Sequence, residues 1–305
     1  MLKFLARRAL LAVLVTFTVL TISFALTRLS GDLAVSIAGP QATSADVEII
    51  RKAYGLDRPL VVQFAAWVGS AASGDLGRSY LYHAPAAELI RARLPITLTL
   101  GLSGLVIALL VAIPLGILAA MREGSLADRG IMLVAVVGQA MPSFWLGLVL
   151  IIWFGLRLQW LPISGVDDWT GYVLPGIVLA FSAIPALMRL TRAGMVEALA
   201  SDYIRTARAK GLSRAAIVLK HALRNAAMPV VAVSAVQLGF MLGGSIVIEA
   251  VFSLPGVGYL AWESISKNDF PVVQAVVLFL AVIYIALTLL ADMLNAVLDP
   301  RLRAA

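Results

Sequence analysis

Apolar residues run without a single charge over six stretches: Ala9–Thr27, Pro95–Ala120, Ile131–Leu156, Trp169–Met188, Ala226–Ile248 and Phe270–Ala291. The shortest has 19 residues, and about 20 helical residues cross a hydrocarbon core of about 30 Å. Only a helix satisfies all its own backbone hydrogen bonds in lipid, so the pattern predicts six transmembrane helices. A barrel would show short alternating segments instead. Polar punctuation divides the chain into residues 1–29, a terminus and first span, residues 30–94, an external subdomain, and residues 95–305, a five-helix core. The fold class expected is an all-α membrane protein with one external and one internal loop of substance.

The intervening segments carry patterns of their own. In 30–94, Thr43 with Asp46 fits a capping box opening a helix over Asp46–Tyr54 that Gly55 ends. Pro59 opens a second apolar stretch, Leu60–Val68, with Phe64 and Trp67. Ser70–Gly74 reads as a loop, and Ala86–Leu94 leads into the second span. In the loop 189–228, Val196, Leu199, Tyr203 and Ala207 recur at three- and four-residue spacing, which predicts a short amphipathic helix. Gly211 closes it and Ser213 caps a second helix through Ile217, Lys220 and Leu223.

Pro95, Pro229 and Pro271 fall at or near span starts, where a missing N–H costs nothing. Pro114, Pro142, Pro175 and Pro185 fall inside spans and bend them, for packing or for a pathway. Gly239 and Gly243 form a GxxxG face suited to close helix contact.

Composition agrees with the pattern. Of 305 residues, 61% are apolar and 13% charged, against roughly 45–50% and about 25% in soluble domains. A soluble enzyme, a disordered chain and a nucleic-acid binder are excluded. The absence of cysteine removes disulfides, thiolate metal sites and cysteine nucleophiles. The two histidines, His83 and His221, fall in loops on opposite sides and form no shared site; both read as surface residues.

The net charge of +7 is explained by where it sits. Lys3, Arg7, Arg8, Arg122, Arg129, eight bases in 189–228, Arg301 and Arg303 share one side. The short loops opposite hold Arg157 and Lys267. Both termini are therefore expected in the cytoplasm, with no nucleic-acid partner needed. The first apolar segment exceeds a signal peptide's core of about 7–15 residues, so it reads as a retained span.

Particular strings then carry a resemblance. Glu197-Ala198-Leu199, Gly211, Ile217 and Met228-Pro229 resemble the EAA loop of ABC-importer permeases. Asp202-Tyr203-Ile204-Arg205-Thr206-Ala207-Arg208-Ala209-Lys210-Gly211 and His221-Ala222-Leu223-Arg224-Asn225 are similar to the dipeptide/oligopeptide/nickel branch. So are Gly55–Leu60, Gly74–Ser79, Pro142–Gly147, Glu249–Phe252, Pro255–Gly258 and Leu298–Arg301, which point to its first-subunit type. Leu199 replaces the alanine after which the motif is named.

The resemblance implies a permease of a bacterial inner membrane that forms half of a pore for peptides or similar solutes. It implies a sister permease, two ATPase subunits and an external substrate-binding protein as partners. Glu197, Ala198, Asp202, Tyr203, Arg205, Thr206, Ala207, Arg208, Lys210 and Gly211 would couple the pore to the ATPases. Independently, none of the five lysines follows a glycine, so no phosphate loop is present and ATP would be bound by partners. No cofactor or metal is expected in this chain.

Position along the chain gives further site expectations. Asp57, Asp75, Glu249, Tyr259 and Trp262 are expected to meet the binding protein or form an outer gate. Glu249 could equally pair with a sister-chain base, and Tyr259 with Trp262 could simply anchor a short helix at headgroup level. Glu197 could be held by a helix dipole or reach an ATPase base. Gln139, Ser182, Gln237 and Ser245 are polar candidates to line the pore. The competing reading, a stand-alone secondary carrier or channel, predicts ionisable residues or discontinuous helices inside the spans; the prolines allow the discontinuity, but the six runs contain no ionisable residue.

Overall fold

A computed structural model describes residues 2–29, 31–39 and 41–298. Among these, every regular element is helical, and the one β-type pairing is an isolated bridge between Arg78 and Pro85. In chain order the helices are α1 (Leu2–Leu29), α2 (Leu33–Ala38), α3 (Ser44–Ala53), α4 (Leu60–Ala72) and α5 (Ala86–Met121). Next come α6 (Leu126–Ala140), α7 (Ser143–Leu150, widening to a π-helix over Ile151–Arg157), α8 (Val173–Ala200) and α9 (Asp202–Ala209). The chain ends with α10 (Arg214–Ala216), a π-helical turn Ile217–Ala222, α11 (Leu223–Val251), α12 (Val257–Ser266) and α13 (Phe270–Leu298). Asp299, Pro300 and Arg301 of the last family-like string lie outside the described residues.

Five helices are long and apolar enough to cross a membrane, and α6 with α7 make a sixth crossing if the pair is one span. That pair corrects the expectation of a continuous helix over Ile131–Leu156. The chain bends by 98° between α6 and α7. Met141 is extended, at φ −77 and ψ 131, because the ring of Pro142 excludes the helical conformation from the residue before it. Pro142 then caps α7 without needing a donor of its own. Two other prolines were placed too near a helix start. Pro95 lies well inside the 36 residues of α5, and Pro229 inside α11.

The chain forms two compact units. The first comprises 1–97 and 255–285, the second 98–254 and 286–305. In the first unit, the capping box is present as expected: Thr43 Oγ1 accepts from the Asp46 N–H, and Asp46 accepts from the Thr43 N–H. Asp46 is held below the usual carboxylate range mainly by the Thr43 hydroxyl. α4 continues through Ala72, past the expected loop at 70–73. It is fastened to α1 by rings: Phe64 meets Phe17 at 5.8 Å and Phe24 at 5.3 Å, and Trp67 stacks on Phe24 at 6.0 Å. Leu60, Val61 and Val62 stay exposed on α4, as suits an apolar helix resting at a membrane surface.

In the second unit α8 and α11 are the central pair, flanked by α6 and α7. Lipid supplies no hydrophobic force between helices, so close backbone approach holds them. A Cβ built on Gly116 would stand 2.7 Å from Cβ of Thr191 and 2.9 Å from the Met188 carbonyl oxygen. One on Gly194 would stand 3.1 Å from Cα of Ala226. The anticipated GxxxG face divides: Gly239 is buried, whereas Gly243, with Gly244 beside it, has nothing within 4 Å of a built Cβ.

Gly116→Val should therefore lower the stability of the purified protein by about 1–3 kcal/mol through overpacking. Gly243→Ala, facing open space within the chain, should leave it unchanged. Thermal unfolding in one detergent compares the two.

Candidate functional site

Between α8 and α11 the second unit carries an exposed connection with short helices of its own, α9 and α10. α8 does not stop before Val196, as expected, but runs to Ala200. Ser201 breaks it in an extended conformation, φ −73 and ψ 157, with its hydroxyl donating to the Ala198 carbonyl at 2.5 Å. α9 then runs for eight residues.

Such a helix is too short to be stable in water alone, and it is held by packing. Ile204 and Ala207, three apart on one face, are buried against Met195, Ala198, Ile217, Val218, Ala222 and Ala226. Burying Ile204 contributes roughly 1.5–3 kcal/mol. Asp202, Tyr203, Arg205, Thr206 and Arg208 stay exposed on α9, and Lys210 just beyond it.

Three local bonds fix the ends. Gly211 has φ +75, the left-handed turn expected of it, and its N–H donates to the Arg208 carbonyl at 3.0 Å. Ser213 Oγ accepts from the Ala216 N–H at 3.3 Å. The Tyr203 hydroxyl accepts from Asn225 Nδ2 at 2.8 Å, tying α9 to α11. Arg205 pairs with Asp202 one turn back.

Glu197 is exposed in the last turn of α8. The helix dipole there is negative, so stabilisation by an N-terminal dipole does not apply. Asp202 holds the favourable N-terminal position on α9.

A further element escaped the sequence reading. Arg192 of α8 grips Asp128 of α6 with two bonds, Nε to Oδ1 and Nη2 to Oδ2, both 2.7 Å. Asp128 is 4% exposed, and its Oδ2 also accepts from the Gly124 N–H at 3.0 Å. Such a fork-to-fork pair fixes orientation as well as contributing energy. It ties the α5–α6 turn to α8 just before the seat of α9. The partners are 64 residues apart, so only the capping serine, Ser125, gave any local signal.

The remaining candidates are dispersed. Glu249 is fully buried near the end of α11, with Oε1 accepting from the Ser245 hydroxyl at 2.9 Å. Ser245, taken as a pore candidate, is itself buried. Gln139 and Ser182 are exposed and Gln237 is half-buried. Asp57 and Asp75 are exposed in the first unit. Tyr259 and Trp262 stand together on α12, rings 5.5 Å apart, with Trp262 exposed.

Two carboxylates, the buried Asp269 and the half-buried Glu263, neither singled out by sequence, organise that unit. Asp269 accepts from the Ser79 hydroxyl and from the Tyr80 N–H at 3.2 Å. Glu263 accepts from the Tyr82 hydroxyl and from Lys267 Nζ at 2.9 Å. Arg93 lies 3.9 Å from Glu263 and over the Tyr82 ring. These bonds clasp the 79–82 turn to α12 and the start of α13.

Long apolar helices that carry one short, polar-faced helix on a buried seat suit a membrane transport subunit. The comparisons give the class its name. Residues 112–304 match the family described as binding-protein-dependent transport system inner membrane component, and residues 1–101 match its N-terminal companion. The glutathione transport system permease protein GsiC of Escherichia coli K12 is 41% identical over 304 residues, 99% of both chains. GsiC of Shigella boydii is 40% identical with the same coverage. Among solved structures, the inward-facing MetNI methionine ABC transporter aligns with a TM-score of 0.59 at 18% identity. That alignment covers 69% of this chain and 96% of the other and supports the fold. The chain belongs to the family of binding-protein-dependent transport system inner membrane components, as an ABC-importer permease of the peptide/nickel group. Membership sets aside a stand-alone carrier or channel and identifies a multi-pass inner-membrane protein.

The Glu263 clasp is pH-sensitive. The Tyr82 hydroxyl foremost, then Lys267, holds the Glu263 carboxyl below the ordinary glutamate range. A depressed folded value means its stabilisation is complete above the unfolded value and is lost as pH falls through the folded one. The difference in melting temperature between wild type and Glu263→Gln should be positive at neutral pH and vanish in acid.

Proposed function

We propose that this permease forms half of the translocation pathway of an importer for peptides or glutathione-like solutes, and that α9 is its coupling element. The observation that carries the proposal is the buried seat of Ile204 and Ala207 beneath an outer face that is polar but for Ala209. A helix fixed on one side and polar on the other suits docking into a separate protein. The reading of Glu197, Ala198, Asp202, Tyr203, Arg205, Thr206, Ala207, Arg208, Lys210 and Gly211 as coupling residues divides accordingly. Ala207 and Ala198 belong to the seat, Tyr203 braces it, Gly211 sets the exit, and the rest meet the partner.

In this reading two ATPase subunits bind ATP and dock on α9. The basic loops support a cytoplasmic location for α9 and both termini. An external binding protein delivers substrate to the 30–94 segment, where Asp57 and Asp75 are exposed, and to Tyr259 and Trp262 on α12. A sister permease completes the pore. The exposed Phe240, Gly243, Gly244 and Val247 of α11 support an interface with it. Glu249 is better suited to bracing Ser245 than to meeting a protein outside. Gln139, Ser182 and Gln237 remain the proposed pore-lining polar residues.

Gly211→Val costs the left-handed turn roughly 1–2 kcal/mol and redirects the chain after α9. Arg205→Glu reverses charge on the docking face. Both should reach normal membrane levels, because the spans are held elsewhere. Uptake by proteoliposomes and stimulation of ATPase by the binding protein should both fall. Normal uptake and stimulation in both variants would reduce the loop to a basic surface hairpin.

A further inference from the structure

The first unit contains a cavity of about 550 Å³ and, beside it, a groove of about 320 Å³. Their linings differ in kind. Arg28, Arg58 and Arg78 line the cavity against a single carboxylate, Asp75. The groove is lined mostly by apolar side chains of α1 and α13, from Val19 to Leu26 and from Phe270 to Val277, with Ile265 of α12 and the polar Ser23, Thr27 and Asn268. Phe270 lines both. The boundary between them is the hydrogen bond from Gln274 Nε2 to Thr27 Oγ1 at 2.8 Å, with Gln274 on the cavity side and Thr27 on the groove side.

Position along the spans gives this pair of spaces its meaning. Arg28 is next to the last residue of α1, and Phe270 is the first of α13. The cavity therefore lies where two spans leave the hydrocarbon, and the groove descends along them. From Val19 to Thr27 the groove follows eight residues of helix, about 12 Å.

Two polar atoms in the cavity lining are buried without a hydrogen-bond partner: Arg28 Nε, a donor, and Gln63 Oε1, an acceptor. The amide of Gln63 is oriented by its nitrogen, which donates to the carbonyls of Leu56 at 3.1 Å and Arg58 at 2.7 Å. Leaving such atoms unpaired is costly. The cavity thus offers guanidinium donors to an anion and an acceptor to a hydroxyl, above a slot for an alkyl chain.

We propose that this site binds one anionic phospholipid of the bilayer with a hydroxylated head, of the phosphatidylglycerol type. Its phosphate lies among Arg28, Arg58 and Arg78, matching guanidinium geometry. A head hydroxyl donates to Gln63 Oε1, and one acyl chain fills the α1–α13 groove. Arg78 contributes only part of its fork, because its Nε and Nη2 already donate to the His83 carbonyl. The lipid then acts as a structural filler joining the 55–80 segment to the two spans.

The test uses the purified importer complex in nanodiscs containing equal phosphatidylglycerol and phosphatidylcholine, with retained lipid read by native mass spectrometry. The wild type should retain one phosphatidylglycerol in preference to phosphatidylcholine. Arg28→Gln with Arg58→Gln should reduce that retention by about tenfold, the loss expected for charge-assisted bonds to phosphate. Val273→Trp, which fills the groove and leaves the arginines in place, should reduce it as well. Equal retention of the two lipids by the wild type overturns the proposal without reference to any variant. If Val273→Trp leaves retention unchanged and radiolabelled inorganic phosphate binds the complex in detergent, the cavity takes free phosphate and the lipid assignment fails.

Discussion

Ile204 and Ala207 sit on a floor made by the ends of α8 and α11, and this contact determines what α9 can do. Eight residues of helix have no stability to spare in water. Without the buried face, α9 would fray, and a push on its polar side would be absorbed as local unfolding. With it, a displacement of α9 is a displacement of Met195, Ala198, Ile217 and Ala222, and hence of two spans. The Tyr203–Asn225 bond and the left-handed turn at Gly211 keep the helix from rolling on its seat.

The floor must itself be stiff, and lipid dictates how. A span in hydrocarbon gains nothing from apolar contact with its neighbour, so close approach and polar pairing do the holding. Gly116 and Gly194 let backbones meet around α8. The Arg192–Asp128 fork locks the α5–α6 turn to α8 just ahead of the seat. The 98° break at Pro142 shows the opposite use of the same constraint. Where a proline removes a donor and its predecessor turns extended, the chain changes direction, and α6 and α7 flank α8 as separate short pieces. The coupling end is thus built from unbroken rods, and the bend lies away from it.

Much of this was legible wherever the signal is local. The spans follow from uncharged runs, the α3 start from Thr43 and Asp46, and the α9 exit from Gly211. What escaped was decided by distance in sequence or by continuity. Arg192 and Asp128 are 64 residues apart, and Asp269 and Ser79 are 190 apart. Neither pair leaves a spacing pattern, and Arg192 counted only as one of the eight bases in 189–228. The boundary of α8 was misplaced for a different reason. Val196, Leu199 and Ala207 share a helical period across Ser201 because both helices pack residues against one floor, while Tyr203, in the same period, is exposed. Periodicity reports the buried face and is blind to a one-residue break between two helices. The dipole alternative for Glu197 rests on that start, and its place in the last turn of α8 removes it, leaving the reach to an ATPase base. Pro142 was seen to bend a span, but whether a proline kinks a helix or turns it depends on neighbours that sequence does not name.

The central claim is that α9 and its floor move as one body. It is tested most directly by spin labels at Arg208→Cys and Leu219→Cys, in the otherwise cysteine-free permease assembled with its partners. The distance distribution between them is compared in the nucleotide-free and ATP-trapped complexes. A rigid seat predicts the same narrow distance in both states. A shift or broadening on ATP binding would mean that α9 slides or melts on its floor, and the transmission of force through Ile204 and Ala207 would be contradicted.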